Sequence, residues 1–321
     1  MQIGFGGDTM IGRLVNTFLN ENPCEKLWGD LLPILQSCDV NVLNLETTLT
    51  YSKQKVFKVF NFKADPKHVQ ALQLAHIDGV NLANNHILDY DIEGLFETIS
   101  TLKKANIYCT GAGKNIEDAK KPIVITKKGT KIAILGYTDN EPAWKADLTK
   151  PGTSYIPISE EGINQIQADI KDIQCDILII SIHWGPNMRQ RPPKHVIEFA
   201  HKLIDSGVNI IHGHSAHIFQ GVEIYQGCPI FYDTGDFVDD YYVDKTLRND
   251  RSFFFITEYE KNALKRIRLI PTHIENCHVH LAKDEEKRAT MKQMELLSKE
   301  LGTHFQWEEE GLIYTNHIPG F

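Results

Sequence analysis

Apolar runs of strand length alternate with amphipathic stretches of helical spacing along most of this chain, and that alternation sets the class of fold it can adopt. "QIGFGG", "DVNVLNLE", "IDGVNLANNH", "CDILIISIHWG" and "VNIIHGHSAH" read as strands. Helical patterns lie between them: residues 11–20, residues 26–36, "DPKHVQALQLAH" with an Asp65 cap and Pro66 at its first position, and "YDIEGLFETISTLKKAN" with acids first and lysines last. "SEEGINQIQADIKDI" opens on an imperfect capping box at Ser159, and "PPKHVIEFAHKLIDSG" is closed by Gly207. Hairpins are signalled around Lys127-Lys128-Gly129-Thr130 and Gln226-Gly227, so the sheets should be mixed. After Arg251 two antiparallel strands and a helix over 285–301 are expected. A four-layer α-β-β-α sandwich and a three-layer doubly wound sheet both fit this order. The expected division is a main domain over 1–260 and a C-terminal strand-and-helix extension, 261–321, packed on it.

A chain of 321 residues, 42% of them hydrophobic, can bury a large core without staples. The net charge is −8, and no dense Lys/Arg stripe appears, which argues against a nucleic-acid binder. The six cysteines form no C-x-x-C pair, which suits reduced, mostly buried thiols in the cytoplasm. No apolar stretch approaches the ~18 residues of a membrane span, and no signal peptide or anchor is legible at "MQIGFGGDTM". Oligomeric state leaves no trace in the sequence.

Open α/β sheets bind ligands beyond the carboxyl ends of their strands. Here five strands exit onto metal-ligand chemistry: Gly7-Asp8; Asn44-Leu45-Glu46; Asn84-Asn85-His86, with Asp89 a turn later; His183; and His212-Gly213-His214, with His217 just after. Oxygen and imidazole donors without a thiolate suit Mn, Fe or Zn, and the set is large enough for one or two ions. Singly, each residue has an ordinary alternative: a turn cap for Asp8, a left-handed turn for Asn85, a satisfied core imidazole for His183. The convergence of five exits is what points to a shared site. The other histidines, at 68, 76, 195, 201, 273, 278, 280, 304 and 317, read as helix-face or C-terminal residues without a site role, including those of "HIENCHVH".

The ordered stretches "GDTMIGR" (7–13), "VLNLETTLT" (42–50), "FNFKADP" (60–66), "VNLANNHILDYDIEGLFET" (80–98), "GAG" (111–113), "IISIHWG" (179–185) and "GHSAHIFQGVEIYQGCPIFYDTGDF" (213–237) resemble the CapA family of poly-γ-glutamate (capsule) synthesis proteins. That family is related to the calcineurin-like metallophosphoesterases. The resemblance implies the four-layer α-β-β-α sandwich of the metallophosphoesterase type, with mixed sheets and a two-metal centre at one end. It implies metal roles for Asp8, Glu46, Asn85, His183, His214 and His217, and a catalytic or phosphate-facing role for His86.

Three departures stand out. Met10 occupies the position, two after the first aspartate, where calcineurin-like enzymes carry a histidine; Ser215-Ala216 replace a His-Pro pair; and Asp236 replaces a common asparagine, within the acidic run "YDTGDFVDDYYVD" holding Asp233, Asp239 and Asp240. The expected function is a metal-dependent enzyme acting on a peptide or poly-γ-glutamyl substrate by α-carbon epimerisation, with His86, His183, His217 and Asp236 as the catalytic candidates. The alternatives are a dinuclear phosphoester hydrolase and a non-catalytic accessory protein in polymer synthesis.

Overall fold

The computed structural model describes residues 1–260 and 262–316; His317 lies outside them. Strands β1 (Gln2–Thr9), β2 (Val40–Leu45), β3 (Gly79–Asn81) and β4 (Tyr108–Thr110) are parallel neighbours in that order in the larger sheet. Strands β5 (Ile123–Lys127), β6 (Thr130–Thr138), β7 (Ile177–His183), β8 (Ile210–His214), β9 (Val222–Tyr225) and β10 (Cys228–Phe231) form a second sheet, ordered β9-β10-β8-β7-β6-β5. Strand β11 (Asp236–Val238) crosses back to pair with β1. Strands β12 (Arg251–Glu260), β13 (Ala263–Glu275), β14 (His278–Leu281), β15 (Gln306–Trp307) and β16 (Leu312–Thr315) extend the larger sheet on the other side of β1. Both sheets are mixed.

Side-chain parity explains why the strands read as unbroken apolar runs. On β2, Val40 and Val42 enter a core shared by the two sheets, while Leu43 and Leu45 enter a second core under α1 (Arg13–Glu21) and α2 (Asp91–Lys104). On β7, Ile177 and Ile179 face the intersheet core, and Leu178, Ile180 and Ile182 face a third core beneath α3 (Glu160–Ile170) and α4 (Lys194–Asp205). Strands buried on both faces have no polar face to show. Helix, sheet, sheet, helix is the four-layer arrangement, and the doubly wound single sheet is excluded. Helix α5 (Asp284–Glu300) inserts Met291, Met294 and Leu297 into the intersheet core. None of the helices among the described residues is long and apolar enough to cross a membrane.

Local expectations hold unevenly. The hairpin turn at Gln226-Gly227 has positive φ at both positions, 50° and 79°, as a two-residue connection requires. The helix expected over 26–36 is broken into Glu25–Trp28, a 3-10 turn at Gly29–Leu31, and Leu32–Ser37. Gly29 adopts φ 48° there, with Val279 O only 2.9 Å from where a Cβ would lie. "DPKHVQALQL" starts as a 3-10 turn, and neither Asp65 nor Ser159 makes a side-chain cap. The six cysteines are unpaired, but only Cys38 is buried; the others are half-buried.

Candidate metal centre

The intersheet core ends in a polar cluster because the inward faces of its strands change chemistry at their carboxyl ends. Val40 and Val42 are followed on the same face by Asn44; Ile177 and Ile179 by Ser181 and His183; Ile210 by His212 and His214. Strand β1 reaches the same side by an irregularity. Ile3 and Phe5 face inward, the register shifts between Gly6 and Asp8, and the extra residue turns Asp8 toward the second sheet. Gly7 allows it, since a Cβ there would sit 1.9 Å from Gly235 O of the chain entering β11. Across the larger sheet Asp236, Asp8, Asn44 and Asn81 are register partners in sequence, and across the second sheet Thr138, His183 and His214 are.

The structure brings all eight expected site residues into one connected cluster, buried except for a half-buried Asn85. His183 Nδ1 and His214 Nδ1 are 3.0 Å apart, and each lies 3.7 Å from Asp8 Oδ1. His183 Nε2 lies 3.1 Å from Asn85 Oδ1, and His214 Nε2 lies 3.1 Å from Ser181 Oγ. If both Nε2–H groups donate to those oxygens, the two Nδ1 lone pairs converge on a carboxylate oxygen, which is an arrangement of acceptors suited to a cation. Asp8, His183 and His214 each offer a ligand atom within 4.8 Å of the others, and so do Asp8, Glu46 and His217. Asp8 is common to both sets. His86 stands 3.7 Å from Glu46 Oε1, with its Nδ1 2.6 Å from Asp89 Oδ2. His217 has its Nδ1 2.8 Å from Asp236 Oδ1 and 3.5 Å from Asp8 Oδ2.

Burial dominates the electrostatics. It holds His183 and His214 well below the ordinary imidazole value, His217 down at about 3 and His86 lowered, so the four rings stay neutral and keep lone pairs for ligation. Burial pushes Asp8 up to about 7 against the hydrogen bond from Asn44, and holds Glu46 well above its ordinary carboxyl value, with Asp8 as its charged neighbour. Glu46 Oε1 and Asp236 Oδ2 are buried without any hydrogen-bond partner. Lone acceptor atoms, neutral imidazoles and carboxylates short of compensation fit a divalent metal, and no thiol competes for it.

His212 is spent elsewhere: its Nε2 lies 3.0 Å from Gly6 O and its Nδ1 3.0 Å from Ser181 Oγ. Three residues outside the expected ligand and catalytic set hold the cluster. Asn44 donates to Asp8 Oδ1 at 2.7 Å and accepts from Asn84 Nδ2 at 3.0 Å. Asp233 accepts from Ala216 N–H at 2.7 Å and Gly235 N–H at 2.8 Å, pinning a turn in which Ser215 and His217 have φ of 118° and 61°. Lys58 lies 3.1 Å from Asp89 Oδ1. The inward parity of Asn44 was readable from Val40 and Val42; the other two depend on folded contacts. Among the histidines set aside, His273 lies 2.9 Å from Asp250 and 3.8 Å from Glu286, but Arg248 and Arg251 already pair with those carboxylates.

The family model described as bacterial capsule synthesis protein PGA_cap matches residues 2–241. The PGA biosynthesis protein CapA of Bacillus subtilis (strain 168) is 29% identical over 315 residues, covering 97% of this chain and 80% of its own. A probable polyglutamine synthesis accessory protein of Mycobacterium tuberculosis is 29% identical over 305 residues, covering 89% of this chain and 80% of its own. Among solved structures, a hypothetical protein from Thermus thermophilus is similar with TM-score 0.53 and 13% identity, over 84% of this chain and 98% of that one, a likeness of fold alone.

Proposed function

Because this chain belongs to the bacterial capsule synthesis protein family PGA_cap, we propose that it is a metal-dependent enzyme acting on a peptide or poly-γ-glutamyl substrate by α-carbon epimerisation. One observation carries the choice of reaction. His86 and His217 are each anchored through Nδ1 by a buried carboxylate, at 2.6 Å to Asp89 and 2.8 Å to Asp236, one beside Glu46 and the other beside Asp8. With Nδ1–H donated to the carboxylate, each ring presents a bare Nε2 as a proton acceptor. One imidazole takes the α-proton at its bare Nε2 and later releases it to solvent; the other, first loaded with a solvent proton at its Nε2, gives that proton to the opposite face, so configuration inverts and no atoms are gained or lost.

In this reading Asp8, Glu46, His183 and His214 would hold the metal, with Asn85 reaching it beside His183, while the one free lone pair of His217 is kept for proton transfer. A bound Mn, Fe or Zn ion supplies Lewis-acid polarisation of the substrate carbonyl, which acidifies the adjacent C–H. His183 has its Nε2 at Asn85 and its Nδ1 facing Asp8 and His214, so this reading gives it the ligand role and leaves proton transfer to His86 and to His217 with Asp236. The substrate class rests on the relatives' printed roles in PGA biosynthesis and polyglutamine synthesis. Six unpaired cysteines support a reducing compartment, the cytoplasm.

A second reading is phosphoester hydrolysis, favoured by the two ligand sets that share Asp8, since paired ions can clamp a phosphoryl group. The word "accessory" in a relative's name keeps a third, non-catalytic role open to the same test. The metal-loaded protein is incubated in deuterated water with γ-glutamyl and α-linked peptides, and separately with an aryl phosphate. Deuterium at an α-carbon is the expected result. Phosphate release without α-exchange would move the assignment to hydrolysis, and no turnover of either would move it to the accessory role.

A further inference from the structure

We propose that a cavity beside the His217 turn, outside the buried cluster, is a second binding site that grips an acidic peptide segment of the substrate away from the reacting carbon; the inference rests on the poly-γ-glutamyl reading above. The cavity has a volume of about 520 Å³, within the ~300–1,000 Å³ usual for ligand sites. Its walls are the loop bearing Gln190, the segment from Thr246 to Arg251, and α5; Phe219, two residues beyond His217, also lines it. Met188 N–H donates to Ala216 O at 2.8 Å, and Gln220 Nε2 donates to Arg189 O at 2.7 Å, so the Gln190 loop lies along the turn that carries His217. Arg191 ties the same loop to the end of α5 by a bidentate pair with Glu300, at 2.6 and 2.7 Å.

Two guanidinium groups are fixed in the wall. Arg248 holds Asp250 through Nε and Nη2 at 2.8 and 2.6 Å, and Arg251 holds Glu286 through Nε and Nη2 at 2.8 and 3.0 Å. Glu286 also accepts from Arg248. Among the described residues neither Nη1 has an acceptor, and both arginines line the cavity. Guanidinium groups locked by carboxylates behind them lose little freedom when their remaining N–H groups meet a ligand carboxylate.

Helix α5 supplies two more cations. Its core face carries Met291, Met294 and Leu297, and a second stripe, Lys292, Leu296 and Lys299, lines the cavity. The ion pairs around α5 use Arg191, Arg248, Arg251 and Lys283; among the described residues Lys292 and Lys299 form none. In the lining, four cations meet a single acid, Glu295, on a chain whose net charge is −8. Leu296 is 50% exposed between the two lysines. Cations interleaved with Leu296 and Phe219 suit carboxylates carried on methylene stems, as in a glutamyl chain, better than a bare phosphate.

The metal-loaded full chain is titrated with a dye-labelled γ-linked glutamyl oligomer, followed by fluorescence anisotropy, and α-deuterium uptake into the same oligomer is measured in parallel. Lys292→Glu combined with Lys299→Glu, at two exposed positions, should weaken binding by about tenfold or more. Leu296→Asp is the second variant and should weaken it in the same direction; circular dichroism confirms that both fold. His214→Ala should lose deuterium uptake and keep the oligomer. If the double variant and Leu296→Asp bind as wild type does, the proposal is overturned, and deuterium uptake by wild type then leaves the reaction reading standing. Loss of the oligomer in His214→Ala would place it at the metal centre alone and also overturn the proposal. Equal affinity for inorganic polyphosphate would show a surface that reads charge alone and would overturn the assignment to an acidic peptide. If wild type neither binds the oligomer nor exchanges deuterium, both readings fall.

Discussion

His183 and His214 face each other Nδ1 to Nδ1 at 3.0 Å, as register partners on adjacent parallel strands. Burial keeps both rings neutral. In the tautomers that donate from Nε2 to Asn85 and Ser181, two lone pairs point at one space together with Asp8 Oδ1, which repels them unless a cation lies between.

His214→Ala should therefore cost metal affinity by more than the roughly hundredfold that outer contacts contribute, with the far-ultraviolet circular dichroism unchanged. Elemental analysis after dialysis measures it. Full retention of metal would remove His214 from the site.

The carboxylate behind His86 points to a role in proton transfer. His86→Gln should lower α-proton exchange by about a hundredfold or more, in the range that a positioned acid or base contributes, while leaving bound metal intact. An unchanged rate of deuterium incorporation would count against proton transfer by this ring.

His212 gives a stability prediction. Burial lowers it to about 4 from 6.5, so between those values the folded chain binds fewer protons than the unfolded chain. Acidification through that window favours unfolding, by on the order of 3 kcal/mol once the ring is fully outcompeted for its proton. Denaturant melts from pH 7 to pH 4 should fall less steeply for His212→Gln than for wild type. Parallel slopes would show that this ring does not govern the acid limb.

Asp233→Asn replaces an acceptor of two N–H groups with an amide that can accept through only one oxygen. The left-handed turn carrying His217 should loosen, at a cost of about 2 kcal/mol, and metal affinity should fall roughly tenfold. Calorimetry and metal titration read the two effects separately. A fall in stability with no change in affinity would confine Asp233 to a structural role.

Much of the cluster was legible because each donor follows an apolar run, as Asp8, Glu46, His183 and His214 do, and a strand's carboxyl end is where α/β sheets place ligands. Parity also puts His214 on the inward face and Gly213 on the other. It could not separate His214 from His212, which share a face and differ only in partners: Gly6 O and Ser181 Oγ take His212. The division into two sheets was not legible from alternation alone, because pairing between β1, β11 and β12 joins distant segments. The turn of Asp8 into the intersheet space depends on one register shift, and the contribution of Asp233 on a turn whose φ values no residue type announces. Met10, two residues after Asp8, is 1% exposed. That position is an apolar core site in this chain.

The donors come from both sheets, and the hydrogen bond from Ser215 to Asp8 spans 207 positions of chain. Contacts of such separation form late, after long loops have closed. An ion held here would meet an assembled pocket only after the sheets had docked. It would act as a latch, lengthening the lifetime of the folded state by slowing its opening, and would do little to hasten folding.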